Sequence, residues 1–362
     1  MNLGVIGTSH KPDERRLPIH PGHLERLGQD VRDRMILQQG YGEPFGWSDE
    51  RLAPLVAGLR PREQVLSEPD VVVLPKPQHA DVAAMREGQV LWGWPHCVQD
   101  AELTQLAIDR RLTVIAWEAM NHWTADGNFS VHVFHKNNEL AGYSSVLHAL
   151  SLLGRSGAFG PRVRAAVISF GATGRGAVHG LSALGINDVT VFTQREASAV
   201  ASPITSVRIE SFDRDEPLAP TLAGFDVVVN CIFQDPEDPL IFVHDNDLSE
   251  FAPGTLFVDV SCDEGMGFEW ARPTSFADPM FTVGDRCHHY AVDHSPSFLW
   301  NSATWEVSEA LGPYVEPVLA GPLAWEADET LRRAIEIRDG VVQNPKILAF
   351  QGRDAEYPHA AV

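Results

Sequence analysis

Lysine and histidine side chains occur directly after two apolar runs of the sequence. Lys76 follows the run Val71–Leu74, and His96 follows the run Val90–Trp92. Imidazole titrates near pH ~6.5, so His96 is the first choice for a general acid–base group. Lys76 could bind a keto oxygen or a carboxylate, act as acid or base if burial lowers its pKa, or simply end a strand. The histidines that compete with His96 are His288, His289 and His294. Because open α/β sheets bind ligands at the carboxyl ends of their strands, the two positions predict an active site.

An arginine near the start of the chain and an aspartate after a later apolar run could complete this site. Arg16 lies in the run DERRLP, and its planar guanidinium suits a carboxylate, with Arg15 the less favoured partner. Asp263 follows the run Leu256–Val260, where a carboxylate could orient an amine or a ribose hydroxyl. The alternatives are a surface arginine and an aspartate that caps a helix or a turn.

A glycine-rich turn between a strand and a helix predicts a dinucleotide-binding unit. The apolar run Ala165–Phe170 precedes it, and a helix of small residues ending near Leu184 follows. Glycines there allow a tight turn, and the helix N-terminus favours the pyrophosphate anion. Thr173 stands where G-x-G-x-x-G has its middle glycine, and tight packing without a ligand is the alternative. The residues expected at the cofactor are Gly171, Thr173, Gly174, Arg175 and Gly176.

The end of the next strand indicates which nicotinamide cofactor is bound. The run Val189–Phe192 lies about 20 residues further on, where an acidic residue would hold the ribose 2′-hydroxyl of NAD. The sequence at this strand end is Thr193-Gln194-Arg195. Arg195 and Thr193 can bind a 2′-phosphate, which an acid would repel, so NADP is favoured over NAD. The alternative is a solvated Arg195, with Glu196 on the ribose.

The surrounding pattern is that of alternating strands and helices in an α/β protein. The predicted strands of the first part are Leu3–Ile6, Met35–Gln38, Val71–Leu74, Val90–Trp92 and Thr113–Trp117, and its predicted helices are His23–Leu27, Ala80–Met85 and Ala101–Arg110. A helix over Glu139–Leu153 then leads to the glycine turn, the later strands are Asp226–Ile232 and Leu256–Val260, and the last helices are Pro296–Leu311 and Ala324–Ile337. Because the last helices would make a poor domain alone, we expect them to return to the first. The predicted domains are 1–138 plus 297–362 for the substrate, and 139–296 for the dinucleotide, with 139–154 as the linking helix.

Composition limits the classes of function. The 362 residues suffice for two domains, and 44% hydrophobic residues with nine tryptophans indicate a folded globular protein. The net charge of −21 argues against a nucleic-acid partner, and an anionic substrate would need local cations. No apolar run is long enough for a membrane span and no signal peptide is seen, so we expect a cytoplasmic protein. The four cysteines are far apart, without metal or redox spacing.

Several segments resemble the alanine dehydrogenase and transhydrogenase superfamily over nearly the whole chain. They include DERRLPIHPGHLERL, MREGQVLWGWPH and GTLFVDVSCDEGMGFEWARPTSFADPMFTV. Other segments are similar to lysine-forming saccharopine dehydrogenase, namely FGATGRGA, VVVNCIF, VDVSCD and VDHSPSFL, or to carboxyethylornithine synthase, namely ERRLPIHP, GQVLWGWPH and AGYSSVLHALSLLG. The resemblance implies two Rossmann-like α/β domains separated by a cleft, the cofactor domain being inserted in the substrate domain.

The resemblance also implies roles for individual residues. Arg16 matches the arginine that binds the substrate carboxylate, Lys76 and His96 match the family lysine and histidine, and Asp263 matches an aspartate near the nicotinamide. Glu118 matches an acidic position that could tune Lys76 or His96. The further positions expected beside the cofactor are Asn230, Asp293 and His294. One departure is Pro77, where relatives usually carry a glutamate that could tune the lysine.

The function that follows from the resemblance is oxidation and reduction at a CH–NH bond with NADP, or NAD as the alternative, and without a metal. A 2-oxo acid would condense reversibly with an amino acid, and the imine would be reduced. The alternatives are an amino-acid dehydrogenase that uses ammonia and a non-catalytic NADP-binding module. The expected partners are small-molecule substrates and other copies of the chain in a homo-oligomer.

Overall fold

The computed structural model describes residues 1–202, 204, 206–234 and 238–361. The chain forms two compact units, one comprising Met1–His135 with Trp300–Val362 and the other Lys136–Leu299. The second unit is thus inserted in the first, and both contain a mainly parallel sheet with helices. The expected α/β class with one unit inserted in the other is confirmed.

Strands and helices alternate along most of the chain. In chain order, the strands are β1 (Leu3–Val5), β2 (Met35–Gln38), β3 (Gly58–Arg60), β4 (Val71–Leu74), β5 (Val90–Gly93), β6 (Thr113–Ala116), β7 (Asn121–Trp123), β8 (Phe129–His132), β9 (Arg164–Ile168), β10 (Asp188–Thr193), β11 (Val207–Ser211), β12 (Val227–Asn230), β13 (Ile241–Val243), β14 (Leu256–Asp259), β15 (Gly267–Phe268), β16 (Met280–Val283), β17 (Cys287–Tyr290), β18 (Ile335–Arg338) and β19 (Val341–Val342). The α-helices are α1 (Gln29–Arg32), α2 (Asp49–Leu52), α3 (Arg62–Ser67), α4 (His79–Ala84), α5 (Ala101–Asp109), α6 (His135–Leu152), α7 (Ala172–Ala183), α8 (Ala219–Leu222), α9 (Trp300–Ala320), α10 (Pro322–Ala327), α11 (Glu329–Ala334) and α12 (Pro345–Gln351). Short 3₁₀ helices lie at Pro21–Arg26, Glu43–Phe45, Ala53–Leu55, Trp117–Ala119, Ala197–Ala199, Asp245–Glu250 and Ser295–Leu299.

The large sheet of the first unit has the strand order β19-β18-β6-β5-β4-β1-β2-β3. The strands from β6 to β3 are parallel, and β18 adds to β6 in the antiparallel direction. The chain runs from β1 to one side through β2 and β3, then crosses back to β4, β5 and β6. Strand order therefore reverses between β1 and β4, the place where doubly wound sheets bind ligands beyond their carboxyl ends.

The inserted unit repeats this plan in its own sheet, with the order β11-β10-β9-β12-β14-β17-β16. The strands from β11 to β17 are parallel, and β16 pairs with β17 in the antiparallel direction. The order reverses between β9 and β12. The glycine-rich turn follows β9, so this unit carries its phosphate-binding sequence at the reversal point.

Apolar side chains cover both faces of each sheet. Every residue of β4 and of β12 is buried, which suits their valine-rich sequences because parallel strands are covered by helices on both sides. In each unit the buried apolar residues form two clusters. The sheets are therefore rigid supports from which side chains at the strand ends project.

The strands predicted in the first part are formed, with ends within one residue of those expected. The predicted helical stretch over His23–Leu27 is a 3₁₀ helix over Pro21–Arg26. Its proline stands at the first helical position, and the ring of His20 accepts the N–H of Gly22 at 3.0 Å. The local sequence thus gives one tight, capped turn rather than an α-helix.

The predicted helical stretch over Ala324–Ile337 is correct only in part. The segment forms α10, then α11, and then β18. Asp328 separates the two helices, since its side chain accepts the N–H of Leu331 at 3.0 Å and so begins α11. Strand β18 then joins the edge of the sheet beside β6, which places Glu336 in a buried strand.

The predicted helix over Pro296–Leu311 begins later and ends later than expected. Residues Ser295–Leu299 form a 3₁₀ helix, and α9 continues to Ala320 through Pro313 and Pro317. An interior proline costs a helix about 3 kcal/mol. Burial of one apolar face in the first unit offsets this cost, and that face includes Leu311, Val315, Val318 and Leu319.

Gly176 lets α7 approach the main chain of α6. A Cβ atom at Gly176 would lie 1.7 Å from the carbonyl oxygen of Glu139 in α6. We expect Gly176→Ala to lower the melting temperature, because the two helices must separate and overpacking costs about 1–3 kcal/mol.

Gly312 in α9 is the matched control, since an added Cβ there meets nothing within 4 Å. Gly312→Ala should raise stability by about 1 kcal/mol. Calorimetry on both variants checks the pair, and an unchanged Gly176→Ala protein would contradict the expectation.

Candidate active site

Three of the predicted site residues follow neighbouring parallel strands. Lys76 comes two residues after β4, His96 three residues after β5, and Glu118 two residues after β6. The strand ends are level, because Leu74 pairs with Gly93 and Gly93 pairs with Ala116. The register of the sheet therefore brings together side chains that are far apart in the sequence.

Lys76 and His96 are in direct contact. The Nζ atom of Lys76 lies 2.5 Å from Nε2 of His96, so the two nitrogens are within hydrogen-bond distance. His96 has a backbone φ of 51°, in the left-handed region that histidine tolerates better than most residues. This turn places the imidazole against the lysine amine at the strand ends.

Glu118 also contacts His96, at its backbone N–H rather than at the ring atom Nε2. Its Oε1 atom accepts the backbone N–H of His96 at 2.7 Å and lies 3.9 Å from the ring atom Nδ1. Burial raises the pKa of the Glu118 carboxyl, and the nearby Glu336 raises it further. The sequence predicted that Glu118 could tune Lys76 or His96, and the structure places its carboxyl at the backbone of His96.

Arg16 is buried, and Glu14 holds its guanidinium. The Oε1 atom of Glu14 accepts Nε–H of Arg16 at 2.9 Å, and Oε2 accepts Nη2–H at 2.5 Å. The guanidinium also lies over the ring of Trp94, 5.0 Å from its centroid. Glu14 and Trp94 were missed from the sequence, although both stand inside the segments that carried the resemblance. The Nε–Nη2 edge of Arg16 is thus taken by Glu14.

Positive charges gather around Lys76. Burial lowers the pKa of Lys76, and the cations Arg16 and Lys11 lower it further. The Nζ atom of Lys76 lies 5.9 Å from the centroid of the Trp94 ring, which also carries Arg16. Glu14 and Glu118 act on the pKa of Lys76 in the opposite direction, so the cluster contains charges of both signs.

In the inserted unit, the glycine turn connects β9 to α7. Gly171 is the N-cap of α7, and an added Cβ at Gly171 would meet nothing within 4 Å. At Gly174, by contrast, a Cβ would lie 2.3 Å from the carbonyl oxygen of Ser169. Gly174 therefore permits close helix–strand packing, and the open space beside Gly171 at the start of a 12-residue helix fits a phosphate. Thr173 lies in the first turn of this helix.

Two guanidinium groups lie beside this turn. Arg195 donates from Nη2 to the carbonyl oxygen of Phe170 at 2.9 Å, and its backbone N–H donates to Oγ1 of Thr193 at 3.2 Å. Arg175 lies over the ring of Phe170, 4.6 Å from its centroid. The end of β10 and the start of α7 thus present two cations where the sequence predicted a 2′-phosphate.

Asn230 ends β12 and is fully buried. Its Nδ2 atom donates to Oδ1 of Asp259 at 3.0 Å, and burial raises the pKa of the Asp259 carboxyl to about 7. Asp259 was not singled out from the sequence, which read it as part of a strand. Asp263 follows in the next turn, where partial burial raises the pKa of its carboxyl. Asp263 belongs to the inserted unit, whereas Lys76, His96, Arg16 and Glu118 belong to the first.

The remaining predicted cofactor residues form a pair. The ring atom Nδ1 of His294 lies 2.6 Å from Oδ1 of Asp293, and His294 is buried. Of the competing histidines, His289 lies inside the sheet in β17, where its Nδ1 accepts Nε1–H of Trp270 at 3.1 Å. Burial lowers the pKa of His289 to about 3, so His289 is a poor general acid–base group near neutral pH. His288 is the neighbouring residue in the same strand.

Two doubly wound units, one with a glycine turn at a helix N-terminus and the other with a lysine–histidine pair, define a nucleotide-dependent oxidoreductase class. The family model for the alanine dehydrogenase/PNT N-terminal domain matches residues 5–141, and the model for the C-terminal domain matches residues 156–345. The chain belongs to the alanine dehydrogenase/PNT family. The resemblance inferred from the sequence is thereby confirmed.

Individual relatives agree with this assignment. An N(5)-(carboxyethyl)ornithine synthase of Clostridium botulinum is 23% identical over 87% of this chain and 94% of its own length. An alanine dehydrogenase of Mycobacterium tuberculosis is 27% identical over 87% of this chain and 86% of its own. Among solved structures, an L-alanine dehydrogenase superposes with a TM-score of 0.81 at 20% identity, over 97% of this chain and 99% of that one.

The chain is therefore an NAD(P)-dependent amino-acid oxidoreductase, as the sequence predicted. Its family binds a nicotinamide cofactor, and its relatives act on small molecules. Within the described part of the chain, every helix is too short or too polar to cross a bilayer.

Proposed function

We propose that this protein catalyses the reversible reductive condensation of a 2-oxo acid with an amino acid, using NADPH. The observation that carries the proposal is the contact between Lys76 and His96 beside the buried Arg16. Such a site combines anion recognition with proton transfer. Both are needed when an amine attacks a carbonyl carbon and water then leaves.

Recognition of the oxo acid falls to Arg16 and Lys76. The substrate carboxylate is assigned to the Arg16 guanidinium, whose Nε and Nη2 atoms Glu14 holds in place. Glu14 and Trp94 fix the guanidinium plane, which favours a single orientation of the substrate. The Lys76 amine lies next to His96 and takes the keto oxygen.

Proton transfer falls to His96. As the amine attacks, the amine nitrogen loses a proton and the carbonyl oxygen gains one, which gives a carbinolamine. His96 then protonates the hydroxyl, and water leaves to form the imine. Lys76 is hydrogen-bonded to Nε2 of His96, and Glu118 orients the histidine through the backbone N–H.

The residues proposed to hold the cofactor lie in the inserted unit. The start of α7 at Gly171 and Thr173 would take the pyrophosphate, and Arg195 with Arg175 would take the 2′-phosphate. Asn230, Asp263 and the Asp293–His294 pair are assigned to the nicotinamide end. Bound NADPH supplies hydride to the imine carbon. Residues 139–296 are accordingly proposed as the cofactor domain, and the remainder as the substrate domain.

A second amino acid is proposed as the amine, in preference to ammonia. The sequence segments FGATGRGA, VVVNCIF and VDHSPS resemble enzymes that join two amino-acid skeletons, and one relative is named as a carboxyethylornithine synthase. Such a product carries a second carboxylate. Lys11 lies close enough to Lys76 to lower its pKa, and Arg15 lies over the ring of Trp300, so further cations are at hand. Ammonia remains the competing amine, because other relatives are named alanine dehydrogenase.

A matrix of substrates decides between the two amines. Pyruvate, 2-oxoglutarate and glyoxylate are each combined with ammonia, lysine, ornithine and other amines, while NADPH loss and product mass are followed. We expect an amino acid to exceed ammonia in kcat/KM. If ammonia with pyruvate is better by about tenfold, or 1.4 kcal/mol, the protein is an alanine-type dehydrogenase. Binding of NADPH without turnover of any pair would instead indicate a non-catalytic module.

A further inference from the structure

A second carboxyl group lies behind the acid–base cluster, on a strand from the far end of the sequence. Glu336 belongs to β18, which pairs with β6, and its residue exposure is 4%. The pairing register shifts between Ile335 and Ile337, so Glu336 stands at an irregularity of the β18–β6 pairing. Its Oε1 atom accepts Nδ2–H of Asn344 at 2.9 Å. The fold thus buries this acid next to the strand that leads to Glu118.

Glu118 and Glu336 share an unusual feature. Each has one carboxyl oxygen, Oε2, that is buried and has no hydrogen-bond partner among the described residues. Burial raises the pKa of both carboxyls, and Glu336 adds to the rise at Glu118. Repulsion between two carboxylates in one cluster disfavours the ionisation of both together.

The charged and titratable groups around the two acids come from several strand ends. Lys76 and His96 face Glu118 from the ends of β4 and β5. The Cys97 thiol, next to His96, interacts with both carboxyls. The ring of His132 reaches the carbonyl oxygen of Trp117, beside Glu118, at 3.0 Å. Asn344 adds a neutral donor at Glu336.

We propose that Glu336 is a positioning residue that acts through Glu118: from the strand paired with β6, its buried carboxyl disfavours a second negative charge at Glu118. A neutral Glu118 accepts the His96 N–H without binding the proton of the Lys76–His96 pair. An anionic Glu118 would hold that proton more tightly and hinder its transfer to substrate.

The direct test is a titration of Glu118 in the protein without substrate. The protein is labelled with [5-¹³C]glutamate, and the Glu118 signal is identified by its loss in Glu118→Gln. We expect Glu336→Gln to lower the midpoint of the Glu118 titration by about one pH unit, because a repelling charge is removed. Glu336→Asp keeps a shorter, charged side chain and should give a midpoint between those of the wild type and Glu336→Gln. It provides the test if Glu336→Gln does not fold.

A matched control is Glu326→Gln. Glu326 is exposed in α10. Its Oε1 atom lies 2.5 Å from Nη2 of Arg338, which belongs to β18 as Glu336 does. Removal of this carboxylate should leave the Glu118 midpoint in place, since exposed charges are screened. An unchanged Glu118 midpoint in a folded Glu336→Gln protein overturns the proposal, as does an equal shift in Glu326→Gln.

A kinetic measurement tests the consequence for the reacting pair and rests on the proposed function. In Glu336→Gln, the limb of the kcat/KM profile that reports proton loss from the Lys76–His96 pair should move to higher pH, because Glu118 is ionised and holds that proton. A shifted Glu118 titration with an unmoved limb overturns the positioning role. If no substrate pair is turned over, the reaction assignment fails by itself, and the substrate-free titration still decides the carboxyl pairing.

Discussion

Replacement of His96 by alanine is expected to lower kcat by about 10²–10⁴-fold, the usual contribution of one general acid–base group. The imidazole is the group in contact with Lys76 and oriented by Glu118, so no other side chain of this cluster takes its position. NADPH affinity should change little, because the proposed cofactor residues belong to the inserted unit. Steady-state kinetics with the best substrate pair and cofactor titration by fluorescence measure the two quantities.

Variants of nearby residues separate a chemical role from a structural one. His79→Ala is the matched control, since His79 is a half-exposed histidine of the same unit that pairs with Asp100 at 2.8 Å. It should retain near-normal kcat. Lys76→Ala and Arg16→Ala should act partly through KM for the oxo acid. If His96→Ala turns over at a near-normal rate across the pH range, His96 is not the general acid–base group, and His294 becomes the next candidate for that role.

The parts of the fold that the sequence predicted well are those determined by local pattern. Runs such as Val71–Leu74 are valine-rich and uninterrupted, which is typical of parallel strands buried on both faces. The glycine turn after β9 is likewise a local signal, since backbone approach permits little else at Gly174. Lys76 and His96 were found because each follows such a strand, and parallel strands end at one edge of the sheet.

The parts that were missed depend on contacts between distant segments. The segment around Glu336, LRRAIEIR, spaces its apolar residues in a way that fits a helix, so strand β18 was not foreseen. Only pairing with β6, more than 200 residues earlier in the chain, makes it a strand. The contact between Glu14 and Arg16 is local in sequence, but the sequence does not predict it. An acidic residue two positions before an arginine in a loop has no periodic pattern. Its bidentate contact becomes visible only when both side chains are buried.

Arg195→Ala is expected to reduce the preference for NADPH over NADH by about 10- to 150-fold, since a charge-assisted phosphate contact is worth about 1.5–3 kcal/mol. The wild type should prefer NADPH, because Arg195 reaches back to the carbonyl oxygen of Phe170 beside the glycine turn and Arg175 lies over the same residue. Arg208→Ala is the matched control. Its guanidinium bonds Asp188 at the opposite end of β10, and its loss should leave the preference unchanged. The ratio of kcat/KM for the two cofactors is measured in all three proteins. Equal use of NADH and NADPH by the wild type would contradict the assignment and would favour Glu196 as a ribose ligand, because only a 2′-phosphate gives Arg195 a charge to bind.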